Sequence, residues 1–159
     1  MYKKFSTGFT LTELMAVVII VAILAGIAFG SYKKAVERSH FAEGQVAGAT
    51  VAEAVARYYY DNMDTSYEED RPKAAYLDVG FANNRACTVS SQKDYCFRTK
   101  YFEVEIQSDG SIKVTRVQGN RAKDYYFYYY PVGVKTETCG SISVAGGDLC
   151  KSMGYTSCS

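Results

Sequence analysis

Residues 14–29 form an unbroken run of sixteen apolar or glycine residues, and Glu13 stands directly in front of it. A helix that is apolar all round must be buried in a core or a membrane. The length approaches the roughly 20 residues of a membrane span. This run therefore fixes one element and its surroundings before anything else is read. A charge at the bilayer centre costs about 2.5–3.5 kcal/mol on insertion scales. The cost is smaller at the end of a span, but a partner for Glu13 is still needed. No basic residue lies between Phe5 and Tyr32.

The flanks suggest where a partner comes from. Met1 to Gly8 is a short leader with Lys3 and Lys4 and no acid. It is basic like the start of a secretory signal, yet no Ala-x-Ala site follows the apolar run. Instead Gly8 precedes it. A cut between Gly8 and Phe9 would create a new α-amine on Phe9. Glu13 would lie four residues on, on the same helical face. The amine of one copy could also meet Glu13 of another.

The segment Gly8-Phe9-Thr10-Leu11-Thr12-Glu13-Leu14-Met15 resembles the prepilin motif of type IV pilins and related pseudopilins. Ile27-Ala28-Phe29-Gly30-Ser31-Tyr32 resembles the Ile-Ala-Ile-Pro-x-Tyr segment of the same family. The resemblance covers residues 1–60; the remainder matches in general plan. It implies that Gly8 ends the leader and is cut by a prepilin peptidase. It implies that Phe9 becomes the N-methylated terminus, and that Glu13 neutralises the Phe9 amine of an adjacent subunit during assembly. Gly30 departs from the family, which often has a proline there that unwinds the helix in the filament. Gly26 and Gly30 each weaken a helix by roughly 1 kcal/mol relative to alanine, so they permit the same unwinding.

Charge excludes one large class. The 159 residues carry a formal charge of +1, and loss of Lys3 and Lys4 would leave the side chains at −1. This gives no clear nucleic-acid signal. Lys33 and Lys34 after the run nearly balance the leader lysines in the positive-inside rule; the cysteines and the resemblance decide for export. There are five cysteines, Cys87, Cys96, Cys139, Cys150 and Cys158, and one histidine, His40. With no C-x-x-C pair, neither a metal nor a cofactor is expected. Disulfides in an oxidising compartment fit better. Cys87 and Cys96 are expected to close a local loop worth about 2.5–3 kcal/mol. One pair among Cys139, Cys150 and Cys158 would staple the tail and leave one thiol over. His40 reads as an exposed helix residue.

Periodicity gives the organisation. Residues 9–60 hold no proline and read as one helix, apolar all round over 9–30 and striped over 31–60. Residues 61–100 read as a connecting region that opens with an acidic stretch and Pro72. That stretch lacks the glycine and terminal glutamate of a calcium loop. Residues 101–106 and 112–117 alternate around Asp109-Gly110, a hairpin signal. Residues 125–130 make a third strand, with aromatic side chains on both faces. The expected fold is α+β. A long N-terminal helix packs on a small antiparallel sheet, with a disulfide-stapled C-terminal region spanning to residue 159.

The function expected is a structural pilin subunit of an extracellular filament serving adhesion or motility, not an enzyme. Its expected partners are copies of itself, the prepilin peptidase and the pilus assembly machinery. The precursor would wait in the inner membrane before reaching the cell surface. A type II secretion pseudopilin or a minor pilin is the alternative, and a membrane-anchored, non-polymerising binding module a further one. The fifteen tyrosines read as packing and subunit-contact residues rather than an electron path.

Overall fold

The computed structural model describes residues 8–62, 71–81, 86–119, 125–130, 139–141 and 150–155. The chain divides into two compact units, Met1–Ser39 and His40–Ser159. One helix, α1 (Leu11–Asp61), runs through the boundary. In the first unit its residues 11–35 are exposed throughout. It is long and apolar enough to cross a membrane.

The second unit is built on a five-stranded antiparallel sheet. Its strands are β1 (Cys96–Arg98), β2 (Phe102–Ile106), β3 (Ile112–Arg116), β4 (Tyr125–Tyr129) and β5 (Cys139–Ser141). They lie in sequence order, so each pairs with its chain neighbour. The β2–β3 connection turns where the sequence predicts. Gly110 takes φ 77°, a left-handed value that glycine adopts without strain. The Asp109 carboxylate accepts from the Ser111 amide at 3.0 Å and from its hydroxyl at 2.6 Å.

Register aligns one core row across all five strands: Phe97, Val104, Val114, Phe127 and Cys139. Each is buried. Residues two positions along each strand share that face, so Phe102, Ile106, Ile112 and Tyr125 extend the same core. The helix meets it with Phe41, Val51, Val55 and Tyr59, spaced to fall on one side. The Phe41 ring lies 4.9 Å from that of Phe127 and 5.4 Å from that of Tyr125. Gly44 and Gly48 complete this helical face. A Cβ on Gly44 would stand 2.9 Å from the Phe102 ring. One on Gly48 would stand 2.6 Å from Tyr129 and 2.7 Å from Val114. Only glycine lets the helix backbone come this close to the sheet.

The structure departs from the sequence reading in three places. β1 and β5 add two strands to the three expected, and each is three residues long. The connecting region contains single 3-10 turns at Ala74–Tyr76 and Lys93–Tyr95. Most of the acidic stretch, residues 63–70, lies outside the described residues. His40 is half-buried rather than exposed, its ring 3.8 Å from that of Tyr101. The helical period carries it to the sheet side one residue before Phe41.

Candidate functional site

The sites predicted from sequence fall in two places, the start of α1 and the cysteine-bearing part of the second unit. At the start of α1, Thr10 immediately precedes the first helical residue, and Glu13 sits in the first turn. One Glu13 carboxylate oxygen accepts from the Thr10 amide at 2.9 Å and from the Thr10 hydroxyl at 2.7 Å. The Glu13 amide donates back to the Thr10 hydroxyl at 3.3 Å. This is a reciprocal capping box, which satisfies donors that a helix start otherwise leaves bare. Thr10 is the residue the sequence reading missed, although Thr-x-x-Glu is its signature.

The cap also explains where the helix begins. Gly8 and Phe9 lie before it, and Phe9 is 82% exposed. The i to i+4 relation between Phe9 and Glu13 is therefore not formed in this chain. Its Phe9 is outside the helix, and Glu13 is turned onto Thr10. Gly26 and Gly30 lie within uninterrupted α-helix, and a Cβ on either would meet nothing within 4 Å.

In the second unit the structure joins Cys87 to Cys96 and Cys139 to Cys150. Cys158 lies outside the described residues. The first bridge borders a buried carboxylate that sequence reasoning did not single out. Glu103, on the sheet face opposite the core row, is 2% exposed. Its Oε1 accepts from the Thr88 amide at 2.5 Å and the Thr88 hydroxyl at 3.0 Å. Its Oε2 accepts from the amides of Val89 at 2.8 Å and Ser90 at 3.0 Å. Arg98 Nη1 lies 3.2 Å from Oε1.

Burial by itself would raise the pKa of this carboxyl. The amides of Thr88, Ser90 and Val89 and the Thr88 hydroxyl overcome that and hold it below the ordinary value of 4.5. Cys87, Cys96 and Glu103 are also the one set of metal-type side chains found close together among the described residues. With both sulfurs in a disulfide and the carboxylate filled by N–H donors, they offer no open ligand set.

The second bridge ties β5 to a helical turn at residues 150–153. Tyr155 follows, buried, with its hydroxyl accepting from Gln45 Nε2 at 3.0 Å. On the outward sheet face, Lys113 Nζ lies 4.8 Å from the Tyr126 ring and 5.9 Å from that of Tyr128.

Helix α1 thus opens on the Thr10–Glu13 cap and continues as an exposed apolar stretch long enough to cross a membrane. Residues 3–29 match the family described as the prokaryotic N-terminal methylation motif. The fimbrial protein EcpC of Eikenella corrodens is 43% identical over 61 residues, 38% of this chain and 40% of that protein. The match thus spans less than half the length of either chain. No solved structure matches. The N-terminal part of the chain is thus similar to an N-terminal methylation motif and to part of a fimbrial protein.

Proposed function

We propose that this chain is a pilin, the repeating subunit of an extracellular type IV pilus-like filament. The observation that carries the reading is Glu13, a carboxylate placed at the mouth of an exposed apolar helical stretch inside an N-terminal methylation motif. The precursor waits in the inner membrane with α1 as its anchor. A prepilin peptidase cuts after Gly8, and Phe9 is N-methylated. In the filament the apolar helices bundle, and the Phe9 amine of one subunit replaces Thr10 as the partner of Glu13 in the next. An uncompensated charge in an apolar core costs several kcal/mol, so this pairing sets the axial register. A contact that repeats without closing gives an open fibre. Gly26 and Gly30 are where the helix would unwind as it packs. The His40–Ser159 unit forms the outer surface.

Intact-mass measurement on material sheared from the cell surface tests this. Loss of residues 1–8 with one methyl on Phe9, in material that sediments as fibres, is the expected result. Recovery only from membranes with the leader attached overturns it. A Glu13→Gln variant should be processed yet yield no fibres; wild-type fibre yield from that variant would remove Glu13 from the mechanism.

A further inference from the structure

Both cysteines of the first bridge are held in place by contacts that do not involve sulfur. Cys96 is fixed by strand pairing, opposite Glu105 in the β1–β2 register. Cys87 lies directly before three residues whose amides all point at Glu103. Arg98 grips the same segment on either side of Cys87. Its Nη1 donates to the Ala86 carbonyl at 3.4 Å and to the Thr88 hydroxyl at 2.6 Å, besides facing Glu103. The connection is thus closed by a buried carboxylate and a guanidinium, not by the sulfurs alone.

We propose that Glu103, with Arg98, is a positioning residue for oxidation. It captures residues 88–90 and so brings the Cys87 thiol to the Cys96 thiol before the bond exists. The reaction is a dithiol–disulfide exchange. The thiolate of one cysteine attacks a small-molecule or protein disulfide, breaks its S–S bond and forms a mixed disulfide. The second cysteine thiolate then displaces the remaining thiolate. Two electrons pass from the Cys87 and Cys96 sulfurs to the oxidant, and its two thiolates take up the two protons lost. Glu103 takes no part in these transfers; it raises the concentration of one thiol around the other. The inference does not rest on the filament reading.

The test uses the full chain in detergent with Cys158→Ser, so that the fifth thiol cannot exchange. The protein is reduced and equilibrated in glutathione buffers of graded ratio. Each cysteine pair is then quantified by alkylation and peptide mass. The Cys139–Cys150 pair, which touches neither Glu103 nor Arg98 in any contact described above, is the internal reference. Four hydrogen bonds to a charged acceptor are weakened in Glu103→Gln. The effective concentration for Cys87–Cys96 should fall about tenfold or more, given the strength of bonds to ionised groups. That for Cys139–Cys150 should stay within about twofold, as expected of an independent site. Thr88→Ala, at an exposed residue, removes one of the four bonds and the Arg98 bond to the same hydroxyl, and should give a smaller fall in the same pair. An unchanged Cys87–Cys96 value in both variants overturns the proposal. So does an equal fall in both pairs, because Glu103 would then support the fold generally.

Discussion

Replacing Gly48 with alanine sets two opposed effects against each other, and the structure decides the sign. In an open helix the change stabilises by roughly 1 kcal/mol, because alanine is the better helix former. Here the new Cβ would lie 2.6 and 2.7 Å from two carbons of the Tyr129 ring and 2.7 Å from a Val114 methyl. Carbon atoms attract at about 3.5–4.0 Å, so each contact is too close by nearly an ångström. Tyr129 is half-buried and packs against the core. Val114 is fully buried in the middle of the core row and has no room to yield.

Overpacking of this kind costs about 1–3 kcal/mol. The net expectation for Gly48→Ala is a loss of about 1 kcal/mol, which in a unit of this size lowers the melting temperature by about 3–5 °C. Thermal unfolding of the detergent-solubilised chain, followed by far-ultraviolet circular dichroism, measures it. Gly30→Ala, where nothing lies within 4 Å of the new methyl, should leave the melting of the His40–Ser159 unit unmoved. Adding Val114→Ala to Gly48→Ala should destabilise by less than the sum of the two changes, as neighbours in contact do. A Gly48→Ala protein that melts higher than the parent would refute the close approach of helix and sheet.

Other perturbations follow from the same geometry. The Glu103 carboxyl holds its proton less tightly folded than unfolded, so the unfolded chain binds more protons in acid. Its contribution is fully present above the ordinary carboxyl value of 4.5 and is lost as pH falls through the lower folded value. Denaturant titrations across that window should show a steeper loss of stability in the parent than in Glu103→Gln. Thr10→Ala removes the cap on Glu13 and should destabilise the first turn by about 1 kcal/mol, read as faster amide exchange at residues 12–14. Arg57 and Asp78 pair at 2.9 Å, but their side chains are 51% and 65% exposed. Arg57→Ala should shift the denaturation midpoint by an amount equivalent to less than about 1 kcal/mol, and less still in high salt.

Sequence patterning revealed the long elements and missed what depends on the third dimension. The amphipathic half of α1 and the β2–β3 hairpin carry a sustained period, 3.6 or 2, while the apolar half of α1 and the aromatic run of β4 are legible from composition. β1 and β5 are three residues long, too short for alternation to register against the polar chain around them. Glu103 was invisible for a different reason. In an alternating strand it reads, like Glu105, as an outward-facing carboxylate. Only the folded chain shows that the segment after Cys87 arches over it. The Thr10–Glu13 cap was legible in principle, as Thr-x-x-Glu before an apolar run. The glutamate's charge drew the reading toward an intermolecular partner and away from the local one. The tyrosine-rich strand divided as the period demands: Tyr125 and Phe127 enter the core, while Tyr126 and Tyr128 stay half-buried on the other face.

The strand order has a consequence for a protein that would live packed among copies of itself. A meander has two open edges, and an unpaired edge is a template on which a foreign strand can add. Here the edges are β1 and β5, the two shortest strands, and each is anchored by its own cysteine, Cys96 to Cys87 and Cys139 to Cys150. Among the described residues an intruding chain would find three residues of ladder on each edge strand, each tethered by its bridge. The two bridges thus sit at both edges of the sheet, where edge-to-edge pairing with another chain would start.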